Sequence, residues 1–383
     1  MAAAVVVGSV AWDGAVAAPG MTSSDNRSGL CAVVSKVVPS PLVRGGELQA
    51  IAADAPADAW AVGGPSDFED GPRRPTALIE HWDGARWALV SSPAVAGTLE
   101  SVAIAAPESV WAVGELGASG RGKFRGAGGQ RQALAEHWNG ARWTRVRFQG
   151  LRTLSAVAAT SARDVWMVGG DLTGAAVILH WDGERWTRIR RPDTELLGLA
   201  ALSPTDVWAV GDTSGRRFFE MHWNGRHWSS YSQLPPNGGY GLDESPEITS
   251  VDASGSRDIW AAGDAGNSGA PAWPDTVLFH WDGTRWRKTV TPSIEWIYAL
   301  ALGARGDLWM AGGSGNGDAY SPPFLERRAE PKWQSANPSG QIDGLSTNRT
   351  DGIWTVGFVG SRFDSNLQFP HHARPLITRA RCS

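Results

Sequence analysis

The chain has 383 residues, with 35 Lys and Arg against 39 Asp and Glu and a formal net charge of −4, so no strong field of either sign gathers nucleic acid or anionic lipid over its whole surface. No stretch reaches the roughly 18 to 20 consecutive apolar residues that a membrane-spanning helix requires. Composition is skewed toward Trp (21) and Gly (47), with few Tyr (4) and Phe (10), which implies that one aromatic site is copied many times.

Taken in chain order, Ala2 to Trp12 is short and apolar, and Ala15-Val16-Ala17 resembles a signal-peptidase site, although no Lys or Arg precedes it and Asp13 interrupts it. Residues 18–30 are rich in Ser, Gly and Pro. Residues 1–30 are therefore expected to be a leader and linker without fixed structure, and residues 31–383 a single domain.

Within that domain a tryptophan opens a short apolar run of the VWAVG type seven times, at Trp60, Trp111, Trp166, Trp208, Trp260, Trp309 and Trp354. The spacings of 51, 55, 42, 52, 49 and 45 residues are those of a ring built from repeated four-stranded units. The fullest copy reads as Leu199–Leu202, Val207–Val210, Phe218–Trp223 and Arg226–Tyr231. The fold class expected is all-β: a seven-bladed β-propeller of four-stranded antiparallel blades.

Between the third and fourth strands five copies carry Asp-Gly or Asn-Gly, beginning at Asp83, Asn139, Asp182, Asn224 and Asp282. That dipeptide predicts a two-residue type I′ hairpin with positive φ at both positions. The flanking Trp82 and Trp87, and their equivalents, are expected to pack between blades. First strands are dominated by small residues, as in Ala156-Val157-Ala158-Ala159, which suits strands crowded around a central channel. An Asp just ahead of the strand-2 tryptophan (Asp58, Asp164, Asp206, Asp258, Asp307) is expected to accept backbone N–H bonds in the turn.

Blade 7 stops one strand short. Ser35 to Pro41 aligns with Trp87 to Pro93, so an N-terminal strand is expected to complete the last blade and remove the open edges. On that alignment Cys31 and Cys382, the two cysteines of the chain, take the places of Asp83 and Gly84 in the missing turn, and a disulfide between them is expected. A bridge there implies an oxidising compartment, secreted, periplasmic or cell-surface.

Val62-Gly63-Gly64, Leu78-Ile79-Glu80, Trp87 and Pro93 together resemble the kelch repeat, with its double glycine after strand 2 and a tryptophan in strand 4. The double glycine recurs only at Gly169-Gly170 and Gly312-Gly313. The chain as a whole is similar to kelch-like or BNR-like bacterial propellers of the WAVG/HWDG repeat type over residues 31–383, a resemblance that implies fold and is nearly silent on function.

An up-and-down blade puts the 1–2 and 3–4 turns on one end of the ring and the varied 2–3 and blade-to-blade loops on the other, where binding function is usually carried. Four aromatics outside the repeat pattern fall in one sector of those loops: Tyr240, Trp273, Trp296 and Tyr320, beside Asn267, Asp275, Asn316 and Asp318. Flat rings next to polar groups suit stacking on sugars or anchoring a peptide. The function expected is a non-catalytic binding module for a glycan or protein ligand, acting as a monomer, with no catalytic residue, metal or cofactor assigned. The alternative is a polysaccharide hydrolase or lyase using loop carboxylates such as Asp243, Glu244, Glu247 and Glu295, none of which is paired by the sequence. The histidines beside the third-strand tryptophans (His81, His137, His180, His222, His280) recur once per blade and read as structural. A basic loop (Arg121, Lys123, Arg125, Arg131) and a mixed-charge loop (Asp67 to Arg74) read as solvated.

Overall fold

The computed structural model describes residues 33–382 apart from 42, 66–76, 94–95, 118–131, 214–217, 231–246, 265–275, 292–295, 304–305, 314–323, 330–331, 337, 339, 349–351, 360–362, 365–366 and 371–373. They form seven four-stranded antiparallel sheets, so the chain is a seven-bladed β-propeller. Blade 1 runs Gly46–Ala55, Asp58–Pro65, Leu78–Trp82 and Trp87–Leu89, from channel to rim. Blades 2 to 6 repeat this order, with inner strands Gly97–Ala106, Leu151–Ser161, Thr194–Ser203, Glu247–Gly255 and Trp296–Leu302. In blade 4 the inner strand is longer than expected and the outer strand, Trp228–Ser229, shorter. The small-residue signal marks only the crowded part of an inner strand, whereas pairing begins earlier.

Blade 7 closes as anticipated. Its inner strands Gln341–Asn348 and Gly352–Val359 come from the end of the chain, followed by Arg374–Cys382 and, outermost, Val33–Val37. Ser35 pairs with Ala380 as Trp87 pairs with Trp82, which is the register the alignment required. The long connection of blade 7, read from sequence as loop, also holds a small hairpin of Phe363–Asp364 with Leu367–Pro370.

Two local expectations are corrected. In the 3–4 turns φ is positive only at glycine, about 87° to 93° at Gly84, Gly140, Gly183, Gly225 and Gly283, and not at the preceding Asp or Asn. That residue's side chain instead accepts the N–H groups two and three positions on, as Asp83 does from Ala85 and Arg86, both at 2.9 Å. The side-chain cap makes a second left-handed residue unnecessary.

The Asp ahead of each strand-2 tryptophan likewise binds side chains rather than the turn backbone. In blade 3, Asp164 Oδ1 accepts Trp166 Nε1 at 3.1 Å and lies 2.7 Å from His180 Nε2, while Oδ2 accepts Thr160 Oγ1 at 2.5 Å. The imidazole stacks on its own blade's indole, with centroids 3.7 Å apart and 10° between planes. Asp206 and Asp258 make the same pair of contacts in blades 4 and 5, and Asp58 meets His81 in blade 1. Ser109 replaces the Asp opposite His137 in blade 2. The clamp carries the strand-2 indole to the next blade, where two tryptophans enclose it: Trp166 meets Trp223 and Trp228, and Trp354 meets Trp82 and Trp87 across the closure.

Blade 6 lacks His-Trp-Asp-Gly and keeps the clamp. Arg327 takes the place of the histidine: its Nε donates to Asp307 Oδ2 at 2.6 Å, and its guanidinium lies over Trp309, 5.8 Å from the ring centre. Arg328 covers Trp260 of blade 5 at 5.0 Å, where other blades use tryptophan. Arg379, opposite Trp354 on its own blade, covers that indole at 5.2 Å as Arg327 covers Trp309. A cation over an indole face replaces ring stacking.

The glycine of WAVG is required by proximity. A Cβ on Gly63, Gly114 or Gly211 would lie 2.0 Å from a carbonyl oxygen of the inner strand. That carbonyl stands beside a β-bulge, which every blade carries at the same place, between Leu48 and Ala50 in blade 1 and between Ile342 and Gly344 in blade 7. Past the bulge the residue is always small (Ala50, Ser101, Ala156, Gly198, Ser250, Ala299, Gly344). There adjacent inner strands nearly touch: a Cβ on Gly344 would sit 2.8 Å from the Gln49 carbonyl. Serines stitch the same strands together, Ser101 accepting Val157 N–H, Ser250 accepting Leu300 N–H and Ser346 accepting Ala53 N–H, each at 3.1 Å.

Three third-strand glutamates are buried at one repeat position: Glu80, Glu136 and Glu326. Ser92 donates to Glu136 at 2.9 Å, but among the described residues neither carboxyl oxygen of Glu80 has a partner. Burial pushes Glu80 up to about 8, and Glu136 and Glu326 to about 7. The native state thus keeps a proton that the unfolded chain releases from about 4.5 upward, so this contribution to stability is full at low pH and is lost as pH rises toward 8. Met221 occupies the same register position in blade 4. Glu80→Met is therefore expected to raise the melting temperature at pH 8 and flatten its fall between pH 5 and 8, as read by thermal denaturation across that range; an unchanged pH profile would show that Glu80 ionises freely in the native state.

Candidate functional site

The two ends of the ring differ as the repeat implied. At one end the 3–4 turns lie against the 1–2 turns of their own blades: a Cβ on Gly84 would meet Ala57, and one on Gly225 would meet Thr205. Capped turns in mutual contact leave a uniform surface. At the other end inner strands begin, second strands end, and the varied loops arise.

Of the aromatics singled out in sequence, Tyr240, Trp273 and Tyr320 lie outside the described residues. Trp296 was placed in the loop between blades 5 and 6, but its backbone is the first residue of the blade 6 inner strand, paired with Gly313. The carboxylates weighed for hydrolysis are not brought together: Asp243, Glu244 and Glu295 are outside the described residues, and Glu247 begins the blade 5 inner strand. The loops containing Asn267, Asp275, Asn316, Asp318, Arg121 to Arg131 and Asp67 to Arg74 are likewise outside.

What the sequence reading missed is the set of bulges. The extra residue in each inner strand is Gln49, Glu100, Ser155, Leu197, Thr249, Tyr298 or Asp343, one per blade and each half-buried. Bulges re-aim side chains and recur beside functional sites. Here they set a collar of seven residues, six of them polar, at the varied end of the innermost strands. Two carboxylates, Glu100 and Asp343, flank Gln49 of the intervening blade, and Gln49 Nε2 donates to Glu47 Oε1 at 2.9 Å. Among the described residues no three His, Cys, Asp or Glu side chains are grouped to hold a metal ion. The collar offers hydrogen-bond donors and acceptors near the start of the inner strands, with Trp296 two residues before Tyr298 on the same strand. A signal for it was present in four inner strands, where Gln49, Glu100, Tyr298 or Asp343 stands just before the small position, but the bulge that aims it depends on pairing with strand 2.

The Asp–His contacts look catalytic in isolation. Each is stacked within its own blade, and repetition at four blades under the turn end makes them structural. Asp164 is held below the usual carboxylate range by His180 and Thr160 against the opposing effect of burial, which is the larger single contribution, and His137 is pushed down by burial.

No family model matches the chain, and no curated protein matches it. Solved structures do share the fold. YCF48 bound to D1 peptide superposes with a TM-score of 0.55 at 13% identity, over 92% of this chain and 97% of that one. The WD40 repeats of RRP9 give 0.58 at 12% identity, over 91% and 97%. The WD40 propeller of Doa1 gives 0.54 at 11%, over 89% and 96%. At these identities the likeness concerns the architecture.

Proposed function

We propose that this propeller is a non-catalytic binding module that recognises a glycan or a polypeptide through the end carrying the varied loops and the collar. The observation that supports it most is the contrast between the ends: capped, uniform turns on one, and seven bulge-aimed side chains beneath loops of unequal length on the other. Tyr240, Trp273, Trp296 and Tyr320 are the anchors of this reading, stacking on a sugar face or seating a peptide side chain. One neighbour of the same fold is described as bound to a peptide, in keeping with a polypeptide ligand. The reading includes a kelch-like repeat type, a monomer, a Cys31–Cys382 disulfide and export to an oxidising compartment. The test is binding of the oxidised protein to a glycan array and to a peptide array, beside a Trp273→Ala/Trp296→Ala variant. Selective binding that the variant loses by tenfold or more is expected, about the worth of one well-buried aromatic anchor; binding that survives the change removes the aromatic sector from the site.

A further inference from the structure

Charge is unevenly placed around the ring. Residues 132–191, in blades 2 and 3, hold nine arginines and no lysine against five carboxylates, a net of +4 in a chain whose total is −4. Three of those carboxylates, Glu136, Asp164 and Asp171, are buried. The other two, Asp182 and Glu184, stand in the 3–4 turn at the uniform end. Toward the varied end, where the outer strands finish, arginines outnumber carboxylates, of which Asp193 is exposed two residues past Arg191 and Glu195 is half-buried.

The arginines there belong to the outer strands Trp143–Val146 and Trp186–Arg191 and the link between blades. Arg147 is exposed and meets no hydrogen-bond or ion-pair partner among the described residues. Arg188 is exposed and donates only to carbonyl oxygens, those of Gln149 at 3.1 Å and Gly150 at 3.4 Å, so it ties the two blades together while its charge stays uncompensated. Arg191 is half-buried, its Nε shut from solvent with no acceptor, and Arg145 has the same unmet Nε. Arg145 donates through Nη2 to Gln132 at 3.5 Å, and Arg190 is committed to Asp171 at 2.5 Å.

Guanidinium groups select planar anions, carboxylates above all among protein groups. The blade 3 outer strand has six residues against two to five in the other blades, making it the longest open edge. Residues two apart on a strand share a face about 6.6 to 6.8 Å apart, so an extended segment pairing along this edge would present alternate side chains at the spacing of Arg188 and Arg190. Trp143, Trp186 and Phe148 are engaged between blades, so among the described residues these rings are not open for a base or sugar to stack on. Blade 5 shows the contrast: Arg287 on its outer strand is already held by Asp282 at 2.8 Å.

We propose that the rim of blades 2 and 3 binds an acidic, extended polypeptide segment, which adds as a strand to the edge Trp186–Arg191 and pairs the carboxylates of one of its faces with Arg188 and the neighbouring Arg147. This surface is separate from the collar and the aromatic sector, so the two readings stand or fall independently. The bland competitor is that charge on an edge merely prevents edge-to-edge pairing.

Fluorescence anisotropy of the full chain with a labelled octapeptide of alternating Glu and Thr separates them. Saturable binding at low salt is expected, weakened about tenfold or more by Arg147→Gln/Arg188→Gln, with thermal denaturation confirming that the variant is folded. The same peptide N-methylated at alternate residues keeps its charge and loses backbone donors, and is expected to bind as poorly. Absence of binding, equal binding to the folded variant, or equal binding of the N-methylated peptide would each overturn the proposal. So would tighter binding of a sulfated polysaccharide or an oligonucleotide of matched charge.

Discussion

Reduction of the oxidised protein is expected to lower its melting temperature by about 5 to 10 °C. A Cys31–Cys382 bridge would close a loop of about 350 residues, whose entropy in the unfolded chain corresponds to on the order of 5 kcal/mol on the chain-entropy model, and each kcal/mol moves a domain of this size by one to two degrees, roughly. The register argues for the pairing: Val33 pairs with Cys382 and Ser35 with Ala380, which leaves Cys31 two residues before the first described pair, where a complete blade has its Asp-Gly turn. Forming the bridge removes a proton and an electron from each thiol, transferred to a disulfide oxidant, so the intact mass falls by two hydrogens and alkylation without reductant labels neither cysteine. Cys31→Ser should reproduce the loss of melting temperature in the absence of reductant. If both cysteines alkylate in the oxidised sample and the melting temperature ignores reductant, the ring is closed by strand pairing alone.

In blade 6, Asp307→Ala is expected to cost about 3 to 5 kcal/mol, because it leaves Arg327 buried without its counter-charge. The Arg327 side chain is 7% exposed and that of Asp307 14%, and Arg327 Nη1 also donates to Gln334 at 3.1 Å. Arg327→His should cost under about 1 kcal/mol, since an imidazole meets the equivalent Asp in blades 1, 3, 4 and 5 and removing the cation also removes its desolvation. Arg327→Ala falls between, leaving Asp307 with Trp309 Nε1 at 2.8 Å. Urea denaturation monitored by tryptophan fluorescence gives all three. If Arg327→His proves as damaging as Asp307→Ala, the arginine is not standing in for the histidine.

The blade count, the strand order and the closing strand were legible because each rests on a local periodicity: a Trp followed by apolar residues and Gly, copied seven times, and a Trp pair across a turn, copied five times. The same copying separated structural His and Asp from candidate ligands, since these residues sit once per blade on the second and third strands, away from the axis, and cannot converge on one centre. Small inner-strand residues likewise announced the channel.

Partnership between side chains was decided only in the folded ring. Asp164, Asp206 and Asp258 turned from the backbone to an indole and an imidazole because strands 2 and 3 bring Trp166 and His180, and their equivalents, into register, a neighbour relation that spans fourteen to twenty residues of sequence. Arg327 and Arg328 could be recognised as replacements for His and Trp only once they lay over Trp309 and Trp260. The collar and the basic rim are also tertiary: the first arises where strand 2 forces a bulge against its glycine, and the second where two neighbouring outer strands set arginines side by side. Sequence by itself determined the repeat, and with it the fold. Packing between strands and between blades decided which side chains are spent on holding the ring and which remain for a partner, because contact and desolvation exist only after the ring has closed.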